Sequence, residues 1–389
     1  MKYDIVIAGA GPAGLAFART LAGVGLRVAI VERQAREELA EAAFDGREIA
    51  LTHRSVDTLR ALGAWDLIDP AQVAPLREAR VLNGGSHFAL AFDPQGTRED
   101  RLGWLVPNHL IRRALFQAVE GQEGLDFRCG AAVASVRTAR EGASIRLDNG
   151  EVLEARLLAA ADSRFSALRD QLGIAAEINR LGRSMMVCRV RHERDHQGIA
   201  TEWFDYGQTI AMLPLNGRMS SAVLTLASAE IGRLAALDPA ALGAEITRRY
   251  DGRLGAMELV QGPHVYPLAT TYARRFVTTR AALIGDTAVG MHPVTAHGFN
   301  LGLRSAAKLG ALVQQAARHG RDIASPLLLG RYEAAHRVAS RPLYVGTNML
   351  VGLYTAEHPA ARAARHAALR AAARLPRIRQ SVSRLLMQH

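Results

Sequence analysis

Three groups of residues in this chain have types and spacings that carry chemistry. The first closes the run Lys2-Tyr-Asp-Ile-Val-Ile-Ala-Gly9-Ala-Gly11-Pro12-Ala13-Gly14. A G-x-G-x-x-G turn of this kind binds the pyrophosphate of a dinucleotide with backbone alone. Gly9 lets the chain turn sharply, Gly11 lets phosphates approach the main chain, and Gly14 lets the new helix pack on the strand. The helix opened by Pro12 and Ala13 turns its N–H groups and positive dipole end toward the phosphates. The stretch Arg27-Val-Ala-Ile-Val-Glu32 supplies an acid about 20 residues on, where a carboxylate accepts from a ribose hydroxyl. The second group is Asp162 in Ala159-Ala-Ala-Asp162-Ser163-Arg164-Phe165-Ser166-Ala-Leu-Arg169. The third is Gly285-Asp286, followed by His292-Pro293-Val294-Thr295-Ala296-His297-Gly298-Phe299-Asn300. A carboxylate at a strand end can bind hydroxyls, and N–H groups at a helix start can face an electron-rich ring edge. Taken alone, Asp286 also reads as a helix cap and Asp162 as a turn or salt-bridge residue.

These residues need particular elements to hold them. Tyr3 to Ala10 is a buried strand, Leu15 to Ala22 a helix, and Arg27 to Glu32 a second strand. Arg33 to Asp45 is polar and reads as a loop. Gly46-Arg47-Glu48-Ile49-Ala50-Leu51-Thr52 leads into a helix with apolar Val56, Leu59, Leu62 and Trp65. Ala79 to Phe92 alternates as two strands about the turn Asn83-Gly84-Gly85. Asn108 to Val119 has helical period. Leu125 to Arg137 and Ser144 to Leu147 are strands, and Asp148-Asn149-Gly150 turns the chain into a strand ending near Ala161. From Ser184 to Val260 the character is mainly β, with strands at Met185 to Val190, Thr209 to Pro214 and Met219 to Ala227 and a helix from Pro239 to Tyr250. Such a region inserted in an α/β chain usually builds one wall of a substrate cavity. Arg280 to Asp286 is a further buried strand, and Asn300 to Gln315 a long amphipathic helix. The expected fold class is therefore α/β: a Rossmann-type nucleotide-binding domain, an interleaved mainly β substrate domain and a C-terminal helical segment. The boundaries expected are 1–75, 102–175 and 270–330 for the first, 76–101 and 176–269 for the second, and 331–389 for the third.

The 389 residues suit two packed domains or one large composite. Apolar residues at 49% and charged residues at 22% fit a water-soluble globular protein. No apolar run approaches a bilayer span and no export signal precedes the first strand, so a cytoplasmic location is expected. Cys129 and Cys188 lack ligand-spaced partners and read as free thiols in a reducing compartment, with no metal site. The net charge of +11, carried almost wholly by arginine, fits either an anionic partner or an arginine-rich composition without one.

In this order and spacing the three motifs resemble the class A flavoprotein monooxygenases, the p-hydroxybenzoate hydroxylase-like aromatic hydroxylases. Within them the chain is most similar to the ubiquinone-biosynthesis hydroxylase family. The segments Gly46 to Thr52 and His292-Pro293 through Gly298-Phe299-Asn300-Leu301-Gly302-Leu303 resemble that family's signatures, and the likeness spans nearly the whole chain. The resemblance implies FAD as cofactor. Gly9, Gly11, Pro12, Ala13 and Gly14 would hold its pyrophosphate, and Glu32 with Arg33 its adenosine end. Arg47, Asn108 and Val133 would be further cofactor contacts. Asp162 belongs to the motif that in the family touches both flavin and pyridine nucleotide, and Asp286 would bind ribityl or ribose hydroxyls. Pro293 would be a further cofactor contact, and Gly298, Phe299 and Asn300 would face the isoalloxazine through their backbone. Three departures stand out: Ser163 where the family has glycine, Val289 where it has histidine, and Thr295-Ala296-His297-Gly298 in place of Ala-Gly-Gln-Gly. A backbone position that admits glycine need not admit serine, which bears on NAD(P)H handling.

The resemblance further implies hydroxylation of the aromatic ring of a polyprenylated phenol or benzoquinol in ubiquinone biosynthesis. Reduced flavin and O2 would give a C4a-hydroperoxide as the oxygen donor. NAD(P)H or a separate reductase would supply electrons, since no second G-x-G-x-x-G exists. The alternatives are a hydroxylase of a soluble aromatic compound and a non-catalytic FAD-binding scaffold of a membrane-associated complex. No catalytic base is identified. His292 and His297 are the candidates, each able to relay a phenolic proton or simply to pack. From His358 on there are seven arginines (362, 365, 370, 374, 377, 379 and 384), no acid and interspersed Leu, Ile and Val. That tail reads either as a basic amphipathic element for an anionic inner-membrane face, within a quinone-biosynthesis complex, or as a helix packed on its own domain. It has no aromatic residue to stack bases, so no nucleic acid is expected.

Overall fold

The computed structural model describes residues 2–86, 88–205, 207–355 and Met387. The basic tail beginning at His358 lies, Met387 aside, outside the described residues.

The strand Lys2–Ala8 is apolar on both faces because it sits in mid-sheet, with Ile7 opposite Ala159 on one side and Ile30 on the other. The sheet around it runs Val277–Thr278, Ala281–Leu283, Val152–Ala160, Lys2–Ala8, Val28–Glu32, Leu125–Cys129, and its four central pairings are parallel. The hairpin Val133–Thr138 and Ala143–Leu147 joins it antiparallel through Val152–Ala160. The helices Pro12–Thr20, Asn108–Val119 and Gly298–Arg318 bring Phe17, Phe116 and Leu309 into one core with Ile5, Ile30 and Leu157, all fully buried. Each such aliphatic side chain contributes about 1.5–3 kcal/mol. A parallel sheet with the glycine turn at its carboxyl edge is the Rossmann arrangement.

The second sheet is mostly antiparallel, in the order Val289–Gly290, Met257–Ala273, Ala176–His192, Met219–Ala227, Gln208–Pro214, Ile199–Asp205, Glu78–Asn83, Ala89–Phe92. Its side chains alternate as the pleat requires. Met186, Cys188, Trp203, Ile210, Met212 and Leu224 pack against Ile231, Leu234, Leu242 and Ile246 of the helices Ser228–Ala235 and Pro239–Arg249. The residues one step along, Met185, Val187, Phe204, Ala211, Leu213 and Val223, face the other way, into a cavity between the sheets. A small third sheet, Glu48–Leu51, Gly103–Pro107 and Ala74–Leu76, closes one side.

The hairpin at Ala79 to Phe92 and the helix Asn108–Val119 form as expected. Several elements differ from expectation, three of them instructively. The polar stretch after Glu32 contains the short helix Arg36–Ala40, seated by one buried residue, Leu39. The strands Ile199–Asp205 and Met257–Ala273 were not anticipated. The second holds Gly262, Pro263 and Pro267, which disguise it, and its first two thirds are largely exposed along one edge. Cys129 and Cys188 are free thiols, and burial pushes the Cys188 thiol up to about 12. Among the described residues no helix is long and apolar enough to cross a membrane, and no three His, Cys, Asp or Glu side chains are placed to hold a metal ion. The helix Pro326–Thr355 packs against Gly298–Arg318.

Candidate active site

The cavity, about 1150 Å³, runs from the glycine turn to the inner face of the second sheet. At the turn Gly9 has φ +109°, and a Cβ there would lie 2.5 Å from the Ala161 carbonyl oxygen. A Cβ on Gly14 would run into the Gly9 carbonyl. Both glycines therefore shape the turn without lining the cavity. Gly11 does line it, and a Cβ there meets no protein atom within 4 Å. Gly11 is also the N-cap of Pro12–Thr20, and no side chain caps that helix. The empty space thus faces bare backbone and a positive helix end, which suits an anion. Glu32 accepts from the N–H of Ala10 at 2.8 Å and of Gln34 at 3.0 Å, so it braces the turn while Arg33 and Gln34 line the cavity beside it.

The two other acidic motifs meet across the floor. Thr287 Oγ1 donates to Asp162 Oδ1 at 2.9 Å, and Arg164 Nη2 to Asp286 Oδ2 at 2.8 Å. Beneath them Arg169, with no exposed surface, donates from Nη1 to the carbonyls of Arg164 (3.0 Å) and Thr287 (3.1 Å). This buried guanidinium binds the two loops into one unit. Ser163 does not have positive φ, so serine there meets no backbone penalty. Val289, buried and paired with Tyr272, belongs to the sheet and not to the cavity.

On the opposite wall Asp45, which carried no motif signal, gathers the groups expected to hold cofactor. It accepts from Arg47 Nε at 3.0 Å and Nη2 at 2.5 Å, and from Asn108 Nδ2 at 2.7 Å. Burial raises its pKa, but Arg47 and the hydrogen bonds outweigh that and hold the carboxyl below its ordinary value. Arg47 also lies 5.4 Å from the centre of the Tyr266 ring. Next to it Glu48, its side chain without exposed surface, takes both Arg189 Nε (2.9 Å) and Nη2 (2.7 Å) on one oxygen, and burial raises its pKa.

Past Asp286 the cavity is edged by His292, Pro293, Ala296, Gly298 and Phe299. His292 Nδ1 accepts from the Val294 N–H at 3.2 Å, and burial, helped by Arg164 and Arg183, lowers its pKa to about 4. It is a neutral imidazole at physiological pH. Three expected residues stand elsewhere. His297 is buried at the N-cap of Gly298–Arg318 and does not line the cavity. Asn300 turns its amide away, donating to Ala50 O at 2.9 Å and Ala296 O at 3.0 Å and accepting from the Thr52 N–H at 3.3 Å. It clamps the helix start to Glu48–Leu51. Val133 packs against the core of the first sheet, outside the cavity wall.

Two residues lining the far end, Glu202 and Leu213, lie on strands of the second sheet, amid Met185, Val187, Phe204 and Val223. This end is apolar, whereas the turn end is polar and uncapped. A dinucleotide with a flat ring system fits that gradient: bare N–H groups for pyrophosphate, carboxylates for hydroxyls, a backbone-edged slot for the ring and a dry chamber beyond.

The family described as FAD binding domain matches residues 2–343. The ubiquinone hydroxylase UbiM of Neisseria meningitidis is 45% identical over 99% of this chain and 85% of that protein. Ubiquinone hydroxylase UbiL of Rhodospirillum rubrum is 33% identical over 99% of this chain and 89% of its own length. Among solved structures, p-nitrophenol 4-monooxygenase PnpA of Pseudomonas putida superposes with a TM-score of 0.79, covering 98% of this chain and 97% of its own at 17% identity. OxyS anhydrotetracycline hydroxylase of Streptomyces rimosus gives 0.73 over 100% and 76% at 23% identity. The last two show a shared fold.

Proposed function

Because the chain belongs to the FAD binding domain family and is an FAD-dependent aromatic-ring monooxygenase, we propose that it hydroxylates the ring of a polyprenylated phenol or benzoquinol in ubiquinone biosynthesis. The observation that carries this reading is 45% identity over 99% of the chain with a ubiquinone hydroxylase. The apolar face of the second sheet supports it, since a prenylated ring needs a dry wall to lie on.

FAD held here would supply the oxygen-activating chemistry, with NAD(P)H or a separate reductase as electron source and O2 as co-substrate. The chain's own residues do the rest. Gly11 and the uncapped start of Pro12–Thr20 take the pyrophosphate, and Glu32 and Arg33 the adenosine end. Asp162 and Asp286 take hydroxyls, Arg47 and Asn108 contact the cofactor from the opposite wall, and Pro293, Gly298 and Phe299 edge the flavin. The backbone at Asn300 follows that edge while its side chain clamps the helix. Met185, Val187, Phe204 and Val223 exclude water from the reacting ring. The basic tail holds the protein at the inner-membrane face, where such a substrate resides, alone or within a quinone-biosynthesis complex. Divided as proposed, 1–75, 102–175 and 270–330 bind the cofactor, 76–101 and 176–269 hold the substrate, and 331–389 is the C-terminal segment.

The test is NADH or NADPH oxidation by the FAD-loaded enzyme with 2-geranylphenol, phenol and solvent alone. Acceleration by the prenylated phenol, with a product heavier by one oxygen, supports the reading. Acceleration by phenol alone overturns it in favour of a soluble substrate.

A further inference from the structure

The strand Ile199–Asp205 places one carboxyl where the apolar wall has no use for it. Trp203 turns to the helix side and packs in the core, and the Thr201 hydroxyl meets Tyr250 there at 2.5 Å. The pleat therefore turns Glu202 to the cavity together with Phe204. In register Glu202 stands between Val81 and Ala211. Among the described residues on the cavity-facing wall of this sheet Glu202 is the one acidic residue, beside Met185, Val187, Leu213 and Val223. Among the described residues it makes no hydrogen bond or ion pair, unlike Glu48, Asp45, Asp162 and Asp286, each of which has a partner.

A carboxyl left alone in an apolar wall costs free energy, and a ligand hydroxyl would relieve it. We propose, building on the aromatic-hydroxylase reading, that Glu202 is the residue that recognises the phenolic hydroxyl of the substrate and accepts its proton. In that step the phenolic O–H bond breaks, the proton joins the Glu202 carboxylate, and the electron pair stays on the ring oxygen. Glu202 itself is neither oxidised nor reduced. The resulting oxyanion makes the ring a better nucleophile toward the oxygen that the cofactor chemistry supplies.

Its surroundings suit the role. Burial alone pushes Glu202 up to about 8, close to the operating pH, where proton transfer is most effective. Among the described residues the other ionisable groups lining the cavity are Arg183 of Ala176–His192, Tyr266 of Met257–Ala273, His292, Arg47 and Glu48, and, toward the turn end, Glu32, Arg33, Glu38, Arg112, Asp162, Arg164 and Asp286. Arg189 is occupied by Glu48, Arg183 donates to the Gly207 carbonyl at 2.8 Å, and His292 is neutral.

The test uses FAD-loaded wild type, Glu202→Gln and Glu202→Leu, with two ligand pairs: 2-geranylphenol and its methyl ether, and 4-methylphenol and 4-methylanisole. Dissociation constants are read from the flavin absorbance change between pH 6 and 9, alongside turnover. Wild type should prefer each phenol to its ether, and both substitutions should cut that preference by roughly tenfold. Turnover should fall by roughly a hundredfold and lose its rise with pH near 8. Glu202→Leu should melt no lower than wild type, since it removes an unpaired carboxyl, so lost preference cannot be lost folding. Preference and pH profile unchanged in both variants would overturn the proposal, as would binding of neither phenol to wild type. Preference seen only with 4-methylphenol would leave Glu202 its role and refute the prenylated substrate.

Discussion

Thr287 Oγ1 lies 2.9 Å from Asp162 Oδ1, joining two residues 125 positions apart. Through this bond the acidic motif after the strand Val152–Ala160 and the motif at Gly285–Thr287 become one floor, with Arg169 buried beneath. Thr287→Val keeps the shape and removes the donor. It should cost about 1 kcal/mol of stability and weaken FAD by several-fold, as read by fluorescence titration of the deflavinated protein. Unchanged FAD affinity would show that Asp162 needs no such anchor.

Two glycines of the turn, Gly14 and Gly11, should separate on substitution. Gly14→Val meets the Gly9 carbonyl and should lower stability by several kcal/mol in the absence of cofactor. A Cβ at Gly11 meets no protein atom within 4 Å, and the backbone there (φ −70°) is open to any residue. Gly11→Val should therefore melt close to wild type without FAD and fail to retain FAD. Thermal melts with and without FAD check both; equal FAD-induced stabilisation in Gly11→Val and wild type would refute the assignment.

His336 stacks on Tyr332 and packs on Phe276, and burial, then Arg304 and Arg337, lowers its pKa to about 4. Its ordinary value is near 6.5, so below that pH the unfolded chain binds more protons than the folded one. Stability should hold above about pH 6.5 and fall progressively toward pH 4, by on the order of 3 kcal/mol for this residue. His336→Phe should flatten that part of the curve. Urea titrations of both proteins between pH 4 and 7 decide it.

Ala296 occupies a left-handed conformation (φ +53°). A non-glycine residue there costs about 1–2 kcal/mol, partly offset by the lower chain entropy of alanine. Ala296→Gly should raise stability by up to about 1 kcal/mol while freeing a segment that edges the cavity. A lower melting temperature would show that the methyl group packs to advantage.

What the sequence disclosed and what it hid have physical causes. The glycine turn was legible because a sharp turn restricts residue type at fixed spacing, and Glu32, Asp162 and Asp286 were legible as cavity residues because each stands at or just after a strand end. His292 was legible as a cavity residue, whereas His297, five positions on, looked equivalent and lies in the interior. Asn300 was expected to act through its backbone, and what its side chain does was not legible: only the fold brings Ala50 to its amide. Asp45 and Glu202 carried no pattern, since a lone acid in a loop or strand acquires meaning only from tertiary neighbours. Met257–Ala273 escaped because two prolines and a glycine interrupt a strand whose edge faces solvent. The polar stretch with Arg36–Ala40 shows the reverse, a short helix with a single buried residue, Leu39.

The most direct test is complementation in a bacterium stripped of its own quinone-ring hydroxylases, with extracted quinones profiled by mass spectrometry. Wild type should restore ubiquinone and Gly11→Val, present at equal abundance, should not, leaving a prenylated precursor one ring oxygen short. Full FAD occupancy in wild type with no ring hydroxylation of any prenylated precursor would contradict the account.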